Sequence, residues 1–227
     1  MDIAREEADR GAPEGIVVVA EEQTAGRGRL GRRWLSIPGQ NLSFSILLYP
    51  TRWVSARLSV AASVAVRRAI RRLCGLSSTL KWPNDVLIGQ KKVCGILIEA
   101  ALQNDEARHA IIGIGINVNY SPAGHRNVPS AVTSLATELG HPVPREDVLQ
   151  AVLTELGVIY TELTGWESAW AEWQSSLDTI GKEVQVRWGE RVEQGFAEAV
   201  DSEGNLLLRR ADGTTVTMAA GDVTLRV

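Results

Sequence analysis

Cysteine and histidine are scarce in this chain: two and three, respectively, in 227 residues. Cys74 and Cys94 give neither a disulfide framework nor a metal-ligand spacing, and His109, His125 and His141 lie far apart, so the expected set of metal ligands is none. Cys94 sits between Val93 and Gly95 in an apolar run, where a thiol serves as a small buried hydrophobe rather than a nucleophile. Long apolar runs are missing as well. The longest, over 16–20 and 111–118, fall well short of the roughly 20 residues of a membrane helix, so no bilayer crossing is expected. The opening MDIAREEADR is acidic and amphipathic with no apolar secretory core, which points to the cytoplasm. Nor is there an excess of positive charge: 24 Lys and Arg face 27 Asp and Glu, and a net charge of −3 argues against bulk electrostatic binding to nucleic acid.

What is present is an ordinary globular composition, 44% hydrophobic and 22% charged. The length suits one large core and one small one, divided as 1–178 and 179–227. A helix over 3–10 precedes a β-branched strand over 16–20, and alternation over 41–49 marks a strand with one face more apolar than the other. Over 55–73, Leu58, Ala61, Ala62, Ala65, Val66, Ala69, Ile70 and Leu73 share one side of a 3.6-residue period, predicting a long core-packed helix. Arg67, Arg68, Arg71 and Arg72 are read as its solvated face. Strands over 79–82, 86–88, 92–100 and 107–118 come next as a meander, with Gly89-Gln90 a hairpin tip. Helical patterns return over 134–139, 145–163 and 166–176, the last carrying three tryptophans expected to pack on the sheet. Beyond Leu177 the pattern changes to short strands over 182–188, 191–200, 205–210 and 214–217, a small β-barrel module that needs the larger domain to dock on.

The stretch 23–40 holds four glycines, four arginines and one proline with no sustained periodicity, and reads as a long functional loop. Gly26-Arg27-Gly28-Arg29-Leu30-Gly31 matches the dinucleotide fingerprint GxGxxG, but no helix opens within it, and residues 32–39 lack helical periodicity and are broken by Pro38. A phosphate loop of the GxxxxGK[ST] type is absent because Arg32-Arg33 stands directly after Gly31. The remaining reading is a glycine-rich loop whose guanidinium forks can close over phosphate or carboxylate, or else a mobile basic surface loop.

Four blocks in order carry a family resemblance: residues 21–34 (EEQTAGRGRLGRRW), 81–86 (KWPNDV), 92–99 (KVCGILIE) and 113–119 (GIGINVN). Together they resemble the biotin protein ligases, and 204–208 (GNLLL) and 221–226 (GDVTLR) resemble that family's SH3-like C-terminal domain. The resemblance implies an α+β fold, a mixed sheet packed with helices of the class II aminoacyl-tRNA synthetase and biotin ligase type, followed by a small C-terminal SH3-like β-barrel. It implies ATP-dependent activation of biotin to biotinyl-5'-AMP and transfer to a lysine of a biotin carboxyl carrier protein, with biotin, ATP and Mg²⁺ as the small molecules. The matching positions assign Gln23 to biotin, and Gly26, Arg27, Gly28 and Arg29 to the ligand-closing loop. Trp34 would cover the adenine side, Lys92 the carboxyl and α-phosphate region, and Gly95 would lie against the ligand. Asn117 is matched to the nucleotide, against the plainer reading of a buried asparagine tying strand ends. Lys92, Arg29 and Asp85 form the catalytic set, Asp85 orienting Mg²⁺ or helping deprotonate the incoming lysine, against the plainer reading of a turn cap.

Two family features are not in the sequence. A Ser-Thr-Asn segment would stand just before the helix entered at Asp2, and its hydroxyls would bind the ureido ring, so a sheet short of one strand is expected. No helix-turn-helix is found, so no specific DNA binding is expected, and the resemblance implies a possible homodimer. The other readings are a non-catalytic binder of biotin or its adenylate, a lipoate ligase of the same superfamily, and a nucleic-acid module.

Overall fold

The computed structural model describes residues 1–50, 55–103, 106–120, 132–161 and 165–225. Helix α1 (Asp2–Asp9) leads to β1 (Val17–Ala20) and, past the arginine-rich loop, to β2 (Asn41–Leu48) and α2 (Ser55–Cys74). Strands β3 (Thr79–Lys81), β4 (Asp85–Ile88), β5 (Lys91–Gln103) and β6 (Glu106–Asn117) then form the expected meander, followed by α3 (Leu135–Leu139), α4 (Arg145–Thr161) and α5 (Gly165–Ser176). The chain closes with β7 (Glu183–Trp188), β8 (Arg191–Val200), β9 (Leu206–Arg209), β10 (Thr215–Met218) and β11 (Asp222–Leu225). No helix among the described residues is long and apolar enough to cross a membrane.

The large sheet runs β1-β2-β6-β5-β4-β3. Its pairings between named strands are antiparallel, and the parallel contacts found are two isolated bridges, Leu80 with Leu177 and Lys92 with Val132. One face is apolar: Leu42, Phe44, Ile46, Ile96, Ile112, Ile114 and Ile116 are buried in the main core cluster together with residues of α2 and α4. The whole of β2 is buried, its serines included, because the opposite face is covered too.

Helix α2 departs from the sequence reading in two ways. Leu73, assigned to its apolar stripe, is 41% exposed. Arg67 and Arg68, assigned to a solvated face, are half-buried and both pair with Glu172 of α5, Arg68 at 2.8 Å. The reason is α5 itself, which packs chiefly on α2 and α4 and meets the sheet at β3. Trp170 and Trp173 of α5, 5.2 Å between ring centroids, lie in this helical layer, and Trp173 also lines a cavity with Trp82 and Ile96 of the sheet side. Ser134 caps α3 by accepting the Thr137 N–H at 3.1 Å, and Gly140 ends it in the left-handed region that glycine adopts without strain. The expected helix over 145–163 is seen to Thr161, and its last two residues lie outside the described ones.

The second sheet runs β10-β9-β8-β7-β11, antiparallel throughout, with β11 a strand that turn signals alone do not mark. Val184, Val186, Ala197, Leu206, Leu208 and Met218 fill it and join the main core cluster. Trp82 fastens the two sheets. It is 2% exposed, its backbone N–H donates to Thr179 Oγ1 at 3.0 Å, and its indole N–H donates to the Gly204 carbonyl at 2.9 Å.

Candidate active site

Strands β5 and β6 alternate isoleucine on one face with glycine on the other. Gly95 pairs with Gly115, and Leu97 with Gly113, so three glycines and Leu97 make the floor on the side of the sheet away from α2, bare of side chains at the Gly95–Gly115 pair. A Cβ added at Gly95 would lie 3.0 Å from Lys92 Nζ and 3.2 Å from the Trp34 ring, and one at Gly115 would overlap the Trp34 indole. Glycine is therefore required here by close approach, not by a turn. Above this floor lies a cleft of about 130 Å³.

The loop over 23–40 supplies its roof and is more regular than its composition predicts. The Trp34 N–H donates to the Gly26 carbonyl at 3.0 Å and the Gly28 N–H to the Arg32 carbonyl at 2.7 Å, with Arg27 and Arg33 bridged across. A single 3-10 turn, Arg29–Gly31, forms the tip, with Leu30 at φ 54° and Gly31 at φ 74°. Gly26 is buried, and a side chain there would strike the Trp34 carbonyl, so its smallness serves the loop's own closure. At Gly28 an added Cβ meets nothing nearer than 3.5 Å.

Gln23, Arg27, Gly28, Arg29, Trp34, Asp85, Lys92 and Gly95 all line the cleft. Lys92 Nζ sits 2.6 Å from Asp85 Oδ1 and 5.6 Å from the centre of the Trp34 ring. Arg29, half-buried, donates to Asn84 Oδ1 at 3.2 Å. Burial pulls its pKa below the usual guanidinium range, while the charges of Asp222 and Asp85 oppose that shift. Arg27 is turned outward: it grips Asp2 at 2.6 Å and lies 3.6 Å from Glu99. The hydrogen bond from Arg27 holds the Asp2 carboxyl below its ordinary range. Trp34 lies on the glycine floor, and its buried indole N–H has no hydrogen-bond partner.

Asn117 stands apart. Its side-chain oxygen accepts from Asn41 Nδ2 at 2.9 Å and its amide donates to the Thr133 carbonyl at 3.0 Å, tying the ends of β2 and β6 to the segment before α3. Both of its polar atoms are engaged, and it is not among the residues lining the cleft. Four cleft neighbours received no role from the sequence: Asn84, Lys81, Arg32 and Asp222. The first two stand in the KWPNDV block and Arg32 in the arginine cluster, so the signal existed; only folding shows that Asp222, 190 residues beyond Arg32, reaches the same place. Burial pulls the Lys81 pKa below its ordinary value, partly offset by Asp85.

No trio of His, Cys, Asp or Glu suited to a metal is found among the described residues. The arrangement is a cleft in which Arg29 and Lys92 can face two anions at once over the Gly95–Gly115 floor.

Comparison with known proteins gives a consistent picture. The model of the biotin/lipoate A/B protein ligase family matches residues 5–117, and that of the biotin protein ligase C terminal domain matches 179–226. The chain is 37% identical over 215 residues to the bifunctional ligase/repressor BirA of Bacillus subtilis, covering 92% of this chain but only 66% of the relative's length. To the biotin--[acetyl-CoA-carboxylase] ligase of Paracoccus denitrificans it is 32% identical over 225 residues, covering 89% of this chain and 88% of the relative. Among solved structures, the biotin protein ligase from Aquifex aeolicus in complex with biotin and ATP superimposes with a TM-score of 0.79 at 31% identity, covering 98% of this chain and 94% of the other.

Proposed function

The chain belongs to the biotin protein ligase family, and from that premise we propose that it joins biotin to the ε-amine of a lysine on a biotin carboxyl carrier protein, at the expense of ATP. In the first half-reaction the biotin carboxylate attacks the α-phosphorus and pyrophosphate leaves, giving biotinyl-5'-AMP. In the second, the carrier amine attacks the acyl carbon, the amide bond forms, AMP leaves and the amine's proton is lost. The observation that carries this reading is that Arg29 and Lys92 line one cleft over a floor of glycines.

Bringing a carboxylate against a triphosphate sets negative charge against negative charge, and cations already fixed in place oppose that repulsion without reorganising. Lys92 is the principal cation, and Asp85 pairs with it at 2.6 Å. When its Nζ moves to the carboxylate and α-phosphate, Asp85 is released to accept the proton of the carrier amine, whose ordinary pKa of about 10.4 otherwise keeps it protonated. Arg29 supplies a second, forked donor set from the loop tip, and Arg27 joins it by exchanging Asp2 for ligand. Gln23, Gly26, Gly28 and Gly95 shape the biotin side. Trp34 lifts from the floor to cover the adenine, giving its unpartnered indole N–H a new environment. Asn117 keeps its two hydrogen bonds and serves the site by tying the ends of β2 and β6 to the segment before α3.

Mg²⁺ is the companion of ATP in this proposal. It favours oxygen ligands and is usually held by one or two carboxylates with phosphates and waters, and Asp85 is a cleft carboxylate of that kind. When bound it would screen the phosphate charge. A supply of ATP is available in the cytoplasm, the location this proposal assigns to the reaction.

The test is ATP- and Mg²⁺-dependent transfer of labelled biotin to a biotin carboxyl carrier domain, with Lys92→Ala as control. Transfer by the wild-type chain alone supports the ligase. Tight binding of biotin with no transfer by either form identifies a binding protein instead.

A further inference from the structure

The arginine loop is held at its tip by a carboxylate from the other sheet. Arg32 Nη2 lies 2.6 Å from Oδ2 of Asp222, the first residue of β11. The two halves of this pair differ in kind. Asp222 pairs with Arg187 of β7, and a Cβ on the preceding Gly221 would lie 2.5 Å from Val186 Cγ1 and 3.2 Å from the Arg187 carbonyl. Backbone packing against β7 therefore fixes where the carboxylate starts. The Asp222 side chain is 23% exposed and that of Arg32 68%, so the carboxylate is the built half and the guanidinium the half brought to it by the loop.

Within the loop, Arg32 is coupled to Arg29 through the backbone: its N–H donates to the Arg29 carbonyl at 3.1 Å, and its own carbonyl accepts from the Gly28 N–H. Holding Arg32 thus holds the whole tip. Asp222 also lines the cleft, where its charge leads those that offset the burial of Arg29. Arg29 is consequently seated from two sides, by Asn84 of the β3–β4 turn directly and by Asp222 of the small sheet through Arg32.

We propose that Asp222 is a positioning residue: by pinning Arg32 it presents Arg29 to the cleft, so that the small C-terminal sheet sets the closure of the loop. What the closed loop is for rests on the ligase reading above, but the pin itself can be read without any activity.

The loop carries its own reporter, since trypsin cuts after arginine. In the full chain, Asp222→Asn should speed cleavage after Arg29 and Arg33 about two- to fivefold at low salt, the effect of losing one part-exposed ion pair. Raising the salt should bring the wild type towards the variant, Asp222→Glu should retain protection, and Tm should stay put. In biotin-dependent exchange of pyrophosphate with ATP, Asp222→Asn should raise KM by a similar factor and leave kcat nearly unchanged, because fewer molecules hold the competent loop. Unchanged loop cleavage in Asp222→Asn at low salt overturns the proposal. So does faster cleavage spread through β7–β11 with a lowered Tm, which would make Asp222 merely structural. Faster loop cleavage in Asp222→Asn, together with no exchange activity in the wild-type chain, keeps the pin and removes the ligase reading.

Discussion

The two faces of β5 and β6 share the same backbone and do opposite work. On one, Ile96, Ile112, Ile114 and Ile116 are at most 2% exposed in the main core. On the other, Gly95 and Gly115 leave a floor on which Trp34 and Lys92 rest, and Gly113 lies under the Met1 side chain. Alternation in a strand lets one segment bury bulk for stability and withhold bulk for a ligand, at neighbouring residues. The consequence is that substitutions one position apart should separate stability from activity.

The largest effect is expected from removing the cation above the glycine face. Lys92→Ala should lower biotin transfer by about 10²–10³-fold, the scale of losing a fixed charge at a developing anion, with an unchanged urea midpoint. Transfer within threefold of wild type would sink the assignment of Lys92. On the opposite face, Ile114→Ala should cost about 2–5 kcal/mol of stability through lost burial and the cavity left behind. The remaining folded protein should still bind biotin normally, as urea titration paired with a binding assay at low temperature can show. Gly115→Val, one residue along, should do the reverse. Its side chain takes the space of the Trp34 indole, so biotin affinity should fall about tenfold or more while stability changes little, because the displaced ring sits on a loop. If Gly115→Val instead unfolds the protein and Ile114→Ala abolishes binding, the division between faces is wrong.

A smaller, pH-dependent effect tests the same strand further along. His109 of β6 is 4% exposed, and burial first, then Arg108, pulls its pKa below the ordinary 6.5. Protonation therefore favours the unfolded chain, so this contribution to stability is full above pH 6.5 and is lost as pH falls from there towards the lowered folded value. Urea midpoints at pH 7.5 and 5.5 should differ more for wild type than for His109→Gln; equal differences would assign the acid sensitivity elsewhere.

Much of the scaffold was legible because periodicity reports burial. The 3.6-residue stripe of α2 and the strands of the meander follow from apolar spacing, and the turn at Gly89 from its position between β4 and β5. The same logic failed where a neighbour distant in sequence changed the environment. Arg67 and Arg68 look solvated until Glu172 arrives on α5, which packs chiefly on α2 and α4. Within the cleft, the blocks around Arg29, Asp85 and Lys92 marked residues by type and order, while the destination of Asp222 had no local signature.

By itself, the sequence determined which segments could form strands and helices and which cations were available to two negative reactants. These are properties of residue type and spacing, written along the chain. Only the tertiary structure decided that Lys92 rests on Asp85, that Arg27 turns to Asp2, and that the small sheet reaches back to the loop through Asp222. Such pairings depend on distances that packing sets after the chain has crossed itself, and a charge carries no record in its own neighbourhood of which opposite charge it will meet.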